Sequence, residues 1–171
     1  MGLYGALIVH PATTNDAYEL ADNASAYDIE KVMVLSEIDP NLNAAPKNFD
    51  FLDYHPQYWL INGKSYPGTN PIEATADQRV LLRYLNAALS NHEMNSLGLY
   101  QRVIAQDAYP LNYSYEAVGV VLPAGQTLDT IATVPAGASP GEQMWLYNRN
   151  LYITNGAAFP GGMMTSINVQ G

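Results

Sequence analysis

The sequence predicts an all-β sandwich, and three observations predict it. Thirteen Tyr, 13 Gly and 11 Pro in 171 residues suit strands joined by many turns better than a helical bundle. Short apolar or alternating stretches recur along the chain with Gly and Pro breakers between them. Between those stretches no crossover pattern of helical period is visible, which disfavours a parallel sheet with helices on its faces. Hydrophobic residues make up 48% of the chain and charged residues 13%, enough apolar material for a real core and too much for a disordered chain. The length suits one domain, or one domain plus an extra segment.

Residues 3–9 (LYGALIV) form an apolar run that stops at His10-Pro11 and reads as a buried strand. Residues 12–28 are polar without a period and read as a loop or linker. In residues 30–38 (EKVMVLSEI), Val32, Val34 and Ser36 point to one face and Met33, Leu35 and Glu37 to the other. Residues 39–56 are broken by Asp39-Pro40 and Ala45-Pro46, with room for a helical turn at 48–53. Tyr58 to Ile61 is a short strand closed by an Asn62-Gly63 turn signal. Residues 79–86 (RVLLRYLN) suit a helix or a strand; the flanking turns and neighbouring strands favour strand. Further strands are expected at 100–105, 116–122, 127–133, 143–147 and 165–169, with Pro123-Ala124-Gly125 and Pro135-Ala136-Gly137 as separators.

The net charge is −9, and the seven Lys and Arg are scattered. No basic patch can neutralise a phosphate backbone, and an acidic membrane surface would repel the chain. Nucleic acid and membrane are therefore excluded as partners, and the charge reads as a solubility device. There is no cysteine, which removes disulfides, thiolate ligands and a His-His-Cys copper centre. No apolar run is long enough to span a bilayer. Residues 1–10 lack the basic start and cleavage region of a signal peptide, so a targeting segment for an exported parent would lie outside this chain.

Five segments, in order, resemble one family. Residues 1–9 (MGLYGALIV) are similar to the strand that closes the first domain of multicopper oxidases. Residues 30–38 resemble the opening strand of the second domain. Tyr58-Trp59-Leu60-Ile61-Asn62-Gly63-Lys64-Ser65-Tyr66-Pro67 resembles the family's aromatic, Ile-Asn-Gly, aromatic-Pro segment. Leu81-Leu82-Arg83-Tyr84-Leu85-Asn86-Ala87 resembles its Leu-Arg-x-x-Asn-Ala strand, and Pro123 to Asp129 its Pro-Gly-Gln turn. The resemblance implies a cupredoxin-like Greek-key β-sandwich. It divides the chain into 1–11, like the end of a preceding cupredoxin domain, a linker at 12–28, and a domain at 29–171 like the family's second domain. Leu81, Leu82 and Leu85 are expected to cover the sandwich interior. Arg83 and Asp129 are expected to fix the sheet ends by charge-assisted hydrogen bonds.

In copper-binding domains of that family a His-x-x-His-x-His-Gly pattern follows the strand that ends near Asn86. Here the segment is His92-Glu93-Met94-Asn95-Ser96-Leu97-Gly98. Asn95 and Leu97 stand where histidines are expected; Leu97 has no donor atom and Asn95 is a poor copper ligand beside imidazole. His92 is left as a lone metal candidate, since His10 and His55 share no ligand spacing with it. No Gly-x-Ser-x-Gly elbow, phosphate loop or opposed carboxylate pair can be read from the sequence, so no catalytic or cofactor-binding residue is assigned. Met163-Met164 are adjacent and so face opposite sides of a strand, which fits structure rather than soft-metal binding. Asn23-Ala24-Ser25 and Asn112-Tyr113-Ser114 match the short N-glycosylation pattern.

Two expectations follow. In the first, the chain is a copper-free interdomain module of a multicopper oxidase. Its parent, periplasmic or extracellular by resemblance, holds copper and oxidises substrates while reducing dioxygen to water. Its partners are the flanking cupredoxin domains, and a start within a preceding domain's last strand points to a truncated chain able to form homo-oligomers. In the second, the chain is a stand-alone enzyme or metal-binding protein whose site is assembled between subunits. A count of three His and no Cys favours the first.

Overall fold

The computed structural model describes residues 2–171. Eleven strands form two facing sheets: β1 (Ile29–Ile38), β2 (Tyr58–Ile61), β3 (Ile72–Ala74), β4 (Arg79–Asn86), β5 (His92–Leu97), β6 (Gln101–Gln106), β7 (Tyr109–Ala117), β8 (Gly119–Leu122), β9 (Thr127–Thr133), β10 (Gln143–Asn148) and β11 (Met164–Val169). The six-stranded sheet runs β2-β1-β4-β9-β6-β7 and the five-stranded sheet β3-β11-β10-β5-β8. Pairing is antiparallel except for β1 with β4 and β3 with β11. The all-β sandwich read from the sequence is the fold.

The strand alternation sets the core. Met33 and Leu35 of β1, and Val80, Leu82 and Tyr84 of β4, face inward against Met94 of β5, Met144 and Leu146 of β10 and Ile167 of β11. Tyr84 is fully buried and donates its hydroxyl to Gln101 at 2.8 Å, so the core's largest polar tip is satisfied. Met163 is also buried in this core while Met164 opens β11, which separates the two methionines as expected.

The expectation that Leu81, Leu82 and Leu85 all face the interior is corrected. A strand has period two, and only Leu82 joins the main core. Leu81 packs on the opposite face with Ala17, Ile104 and Ile131, beneath Tyr18 and Tyr27. Leu85 is half-buried on that same outer face. Ala17, Tyr18 and Tyr27 of the segment 12–28 thus pack over this face. Asp16 anchors the segment by accepting from Ser25 Oγ and from the backbone of Tyr18 and Glu19. Arg79 and Arg102 hold it to the sheet by donating to the carbonyls of Asn23 and Ala24.

Residues 3–9 form no ladder, contrary to the strand expected there, and Met1 lies outside the described residues. Among the described residues, 2–12 make no backbone–backbone hydrogen bond, and Leu3, Leu7 and Val9 are exposed. A strand needs a neighbour's N–H and C=O groups, and no sheet edge of this fold supplies them here. The expected strand at 116–122 is two strands: the chain breaks at Val118 as it leaves β7 in one sheet for β8 in the other. β3, β5, β7 and the short helix α1 (Pro40–Ala44) escape a periodicity reading. The residues of β7 are mostly exposed on both faces, and β5 is polar on both. The Asn62-Gly63 turn has the positive φ angles it was read for, 52° and 74°. Asn62 also ties the turn to β1, accepting from Val34 N at 2.9 Å and donating to Val32 O at 2.8 Å.

Candidate functional site

β5 begins with His92, and its alternation points His92, Met94 and Ser96 inward and Glu93, Asn95 and Leu97 outward. The His92 side chain is wholly buried. Its Nε2 faces Glu37 Oε2 at 3.6 Å, and Glu37 on β1 is itself 1% exposed in its side chain. The pair therefore joins the two sheets through the core. At 3.6 Å it is not a direct hydrogen bond, and neither atom has another hydrogen-bond partner. The other Glu37 oxygen is fully used: Oε1 accepts from Tyr54 Oη at 2.8 Å, Leu89 N at 3.1 Å and Ser90 N at 2.9 Å.

The ring nitrogen Nδ1 of His92 lies 3.1 Å from Asn148 Nδ2. Asn148 Oδ1 accepts from Asn150 N at 2.9 Å, which orients the amide with its NH₂ toward the imidazole. Tyr152 meets the His92 ring edge-on at 5.8 Å and stacks on Trp59 at 4.7 Å and 3°. Burial lowers the His92 pKa below its ordinary value, and the Glu37 carboxylate pushes back. Burial, then the Glu37 carboxylate, raises the Tyr54 phenol.

Asn95 and Leu97 lie on the other side of the sheet. Asn95 Oδ1 sits over Gly119, where an added Cβ would clash with it. Leu97 is exposed. His10 is exposed in the N-terminal segment with Nε2 3.8 Å from Glu30, and His55 is exposed with its backbone N–H donated to Asp39. The three histidines thus have three different carboxylate neighbours. Among the described residues, no group of three or more His, Cys, Asp or Glu is placed to hold a metal ion.

A second polar cluster occupies the outer face of the six-stranded sheet. Arg83 and Asp129 are register partners on β4 and β9. Arg83 Nη1 donates to Asp129 Oδ2, its Nε donates to Glu30 Oε1 at 2.5 Å, and Tyr18 Oη donates to Asp129 Oδ2 at 2.7 Å. The charge-assisted hydrogen bonds expected of Arg83 and Asp129 are present, but they join the two residues to each other in mid-strand rather than fixing the sheet ends. Burial raises the Asp129 carboxyl, against the lowering hydrogen bond of Tyr18 and the charge of Arg83. In the sequence, Arg83 and Asp129 stand out only through the family resemblance, and Tyr18 lies in a stretch without a period. The signal missed for the inner site was Glu37, a carboxylate on the same alternating face as Met33 and Leu35.

The fold is a cupredoxin-like β-sandwich, and domains of solved multicopper oxidases superpose on it. A blue copper oxidase from Nitrosomonas europaea superposes with a TM-score of 0.76 at 23% identity, over 84% of this chain and 44% of that one. The multicopper oxidase mgLAC gives a TM-score of 0.75 at 24% identity with the same coverages. A multicopper oxidase from Campylobacter jejuni, described as a metallo-oxidase, gives 0.63 at 12% identity, over 90% of this chain and 32% of that one. The chain thus spans less than half the length of each of these proteins. No protein-family model and no curated protein matches the sequence. Among the described residues no helix is long and apolar enough to cross a membrane.

Proposed function

We propose that this chain is a copper-free structural domain of a multicopper oxidase, packed between flanking cupredoxin domains of a periplasmic or extracellular parent. The parent oxidises substrates and reduces dioxygen to water, and this domain sets the spacing of the copper-bearing units. The observation that carries the reading is the facing of β5. His92 points into the core, where Asn148 engages one ring nitrogen and Glu37 faces the other, while Asn95 and Leu97 point away from it. A copper ion needs several donors converging on one point, and these residues diverge, so they do not fit the metal.

Elemental analysis of protein purified without added metal tests this. Copper is expected well below one atom per chain. The Asn95→His/Leu97→His variant is expected to gain no copper that depends on His92, because the sheet separates the side chains. One copper per chain in the unmodified protein, lost in His92→Ala, refutes the proposal and favours a site assembled with another subunit.

A further inference from the structure

We propose that His92 is a proton-triggered latch for the loop 149–163, released when a proton from solvent reaches its Nδ1. The proposal stands on hydrogen-bond chemistry and rests on the reading that His92 is not a copper ligand. In the neutral ring Nδ1 accepts from Asn148 Nδ2, which places the ring proton on Nε2, aimed at Glu37. Protonation at Nδ1 replaces that acceptor with an N–H facing an NH₂ group, a donor–donor conflict inside a dry core.

Asn148 cannot resolve the conflict by turning its amide without loss elsewhere. Its Oδ1 caps the turn by accepting from Asn150 N, and its Nδ2 also approaches Met163 Sδ at 3.5 Å. A flip would set the amide NH₂ against the Asn150 N–H. The backbone bonds that close the same turn are Leu151 N to Asn148 O and Asn148 N to Met163 O, with Met163 N to Tyr152 O beside them. The loop's two ends therefore meet at Asn148, and the state of one imidazole decides whether that junction is satisfied.

The groups that face the ring are few. Glu37 approaches from β1, with Tyr54 held on its far oxygen, and Tyr152 approaches from the loop. Glu93 follows His92 and Arg149 follows Asn148 in the chain, but these two pair with each other on the outer face, with Arg149 Nη1 to Glu93 Oε1 at 3.0 Å. Glu37 favours the charged imidazole and burial opposes it, so the proton enters only on the acid side of histidine's usual range.

Amide hydrogen exchange, corrected for the intrinsic pH dependence of exchange, tests the latch at about pH 7.5 and about pH 5, either side of an ordinary histidine. Protection of the Asn150 and Leu151 amides is expected to fall about tenfold or more at the lower pH, while the amides of β4 and β9 hold. In His92→Gln the difference between the two pH values is expected to vanish. Asn148→Asp provides a second route should His92→Gln not fold. A carboxylate at 148 accepts from the protonated Nδ1, so the loop is expected to stay protected at low pH. Equal loop protection at both pH values in the unmodified protein, or an equal acid loss in Asn148→Asp, overturns the proposal.

Discussion

Leu82→Ala and Leu85→Ala, three residues apart on one strand, are expected to differ sharply in cost. Leu82 is fully buried between the sheets, packed in the cluster with Met33, Met94, Met144 and Leu146. Both sheets are fixed by ladders, so the space left by truncation cannot collapse, and the loss is expected at about 3–5 kcal/mol. Leu85 faces outward and keeps part of its surface in water, so its truncation is expected to cost about 1 kcal/mol, from apolar area alone. For a chain of this size each kcal/mol moves the melting temperature by roughly 2–4 °C. The expected shifts are therefore about 6–20 °C for Leu82→Ala and about 2–4 °C for Leu85→Ala. Thermal and urea unfolding followed by both fluorescence and circular dichroism would measure the difference and test for a single transition. A Leu85→Ala shift equal to or larger than that of Leu82→Ala would refute the facing assigned to β4.

Two further outcomes are expected. Arg83→Ala leaves Glu30 and Asp129 without their shared cation, and is expected to cost about 3–5 kcal/mol, as for other broken buried pairs; an Arg83–Asp129 double-mutant cycle in urea, with no coupling, would count against it. Asp39 caps α1, accepting from Asn41 N at 2.8 Å, Leu42 N at 3.3 Å and, on its other oxygen, His55 N at 2.8 Å. Burial pushes its pKa up, but these backbone donors outweigh it and hold the carboxyl below its ordinary 3.8. The folded state then binds a proton less readily than the unfolded chain. The stabilisation is complete above that pH and is lost as pH falls through the folded value. Asp39→Asn is expected to be less stable at neutral pH and to show a shallower loss as pH falls below the ordinary carboxylate value. An unchanged acid limb would show that the cap does not contribute to it.

The sequence by itself determined the architecture, because strand alternation and turn chemistry are local. The period of β1, the boundaries of β2, β4 and β9, and the Asn62-Gly63 turn follow from residues that are neighbours in the chain. It also determined that His92 lacks histidine companions at 95 and 97, a matter of residue identity alone. What it left open are facts about pairs distant in sequence. That Glu37 faces His92, that Arg83 meets Glu30 and Asp129, and that Ala17, Tyr18 and Tyr27 pack over one sheet face are set by which strands become neighbours. The apolar run at 3–9 shows the limit most plainly. Its composition suits a strand, but a strand is a relation between two segments, and only the tertiary structure decides whether a partner edge is present.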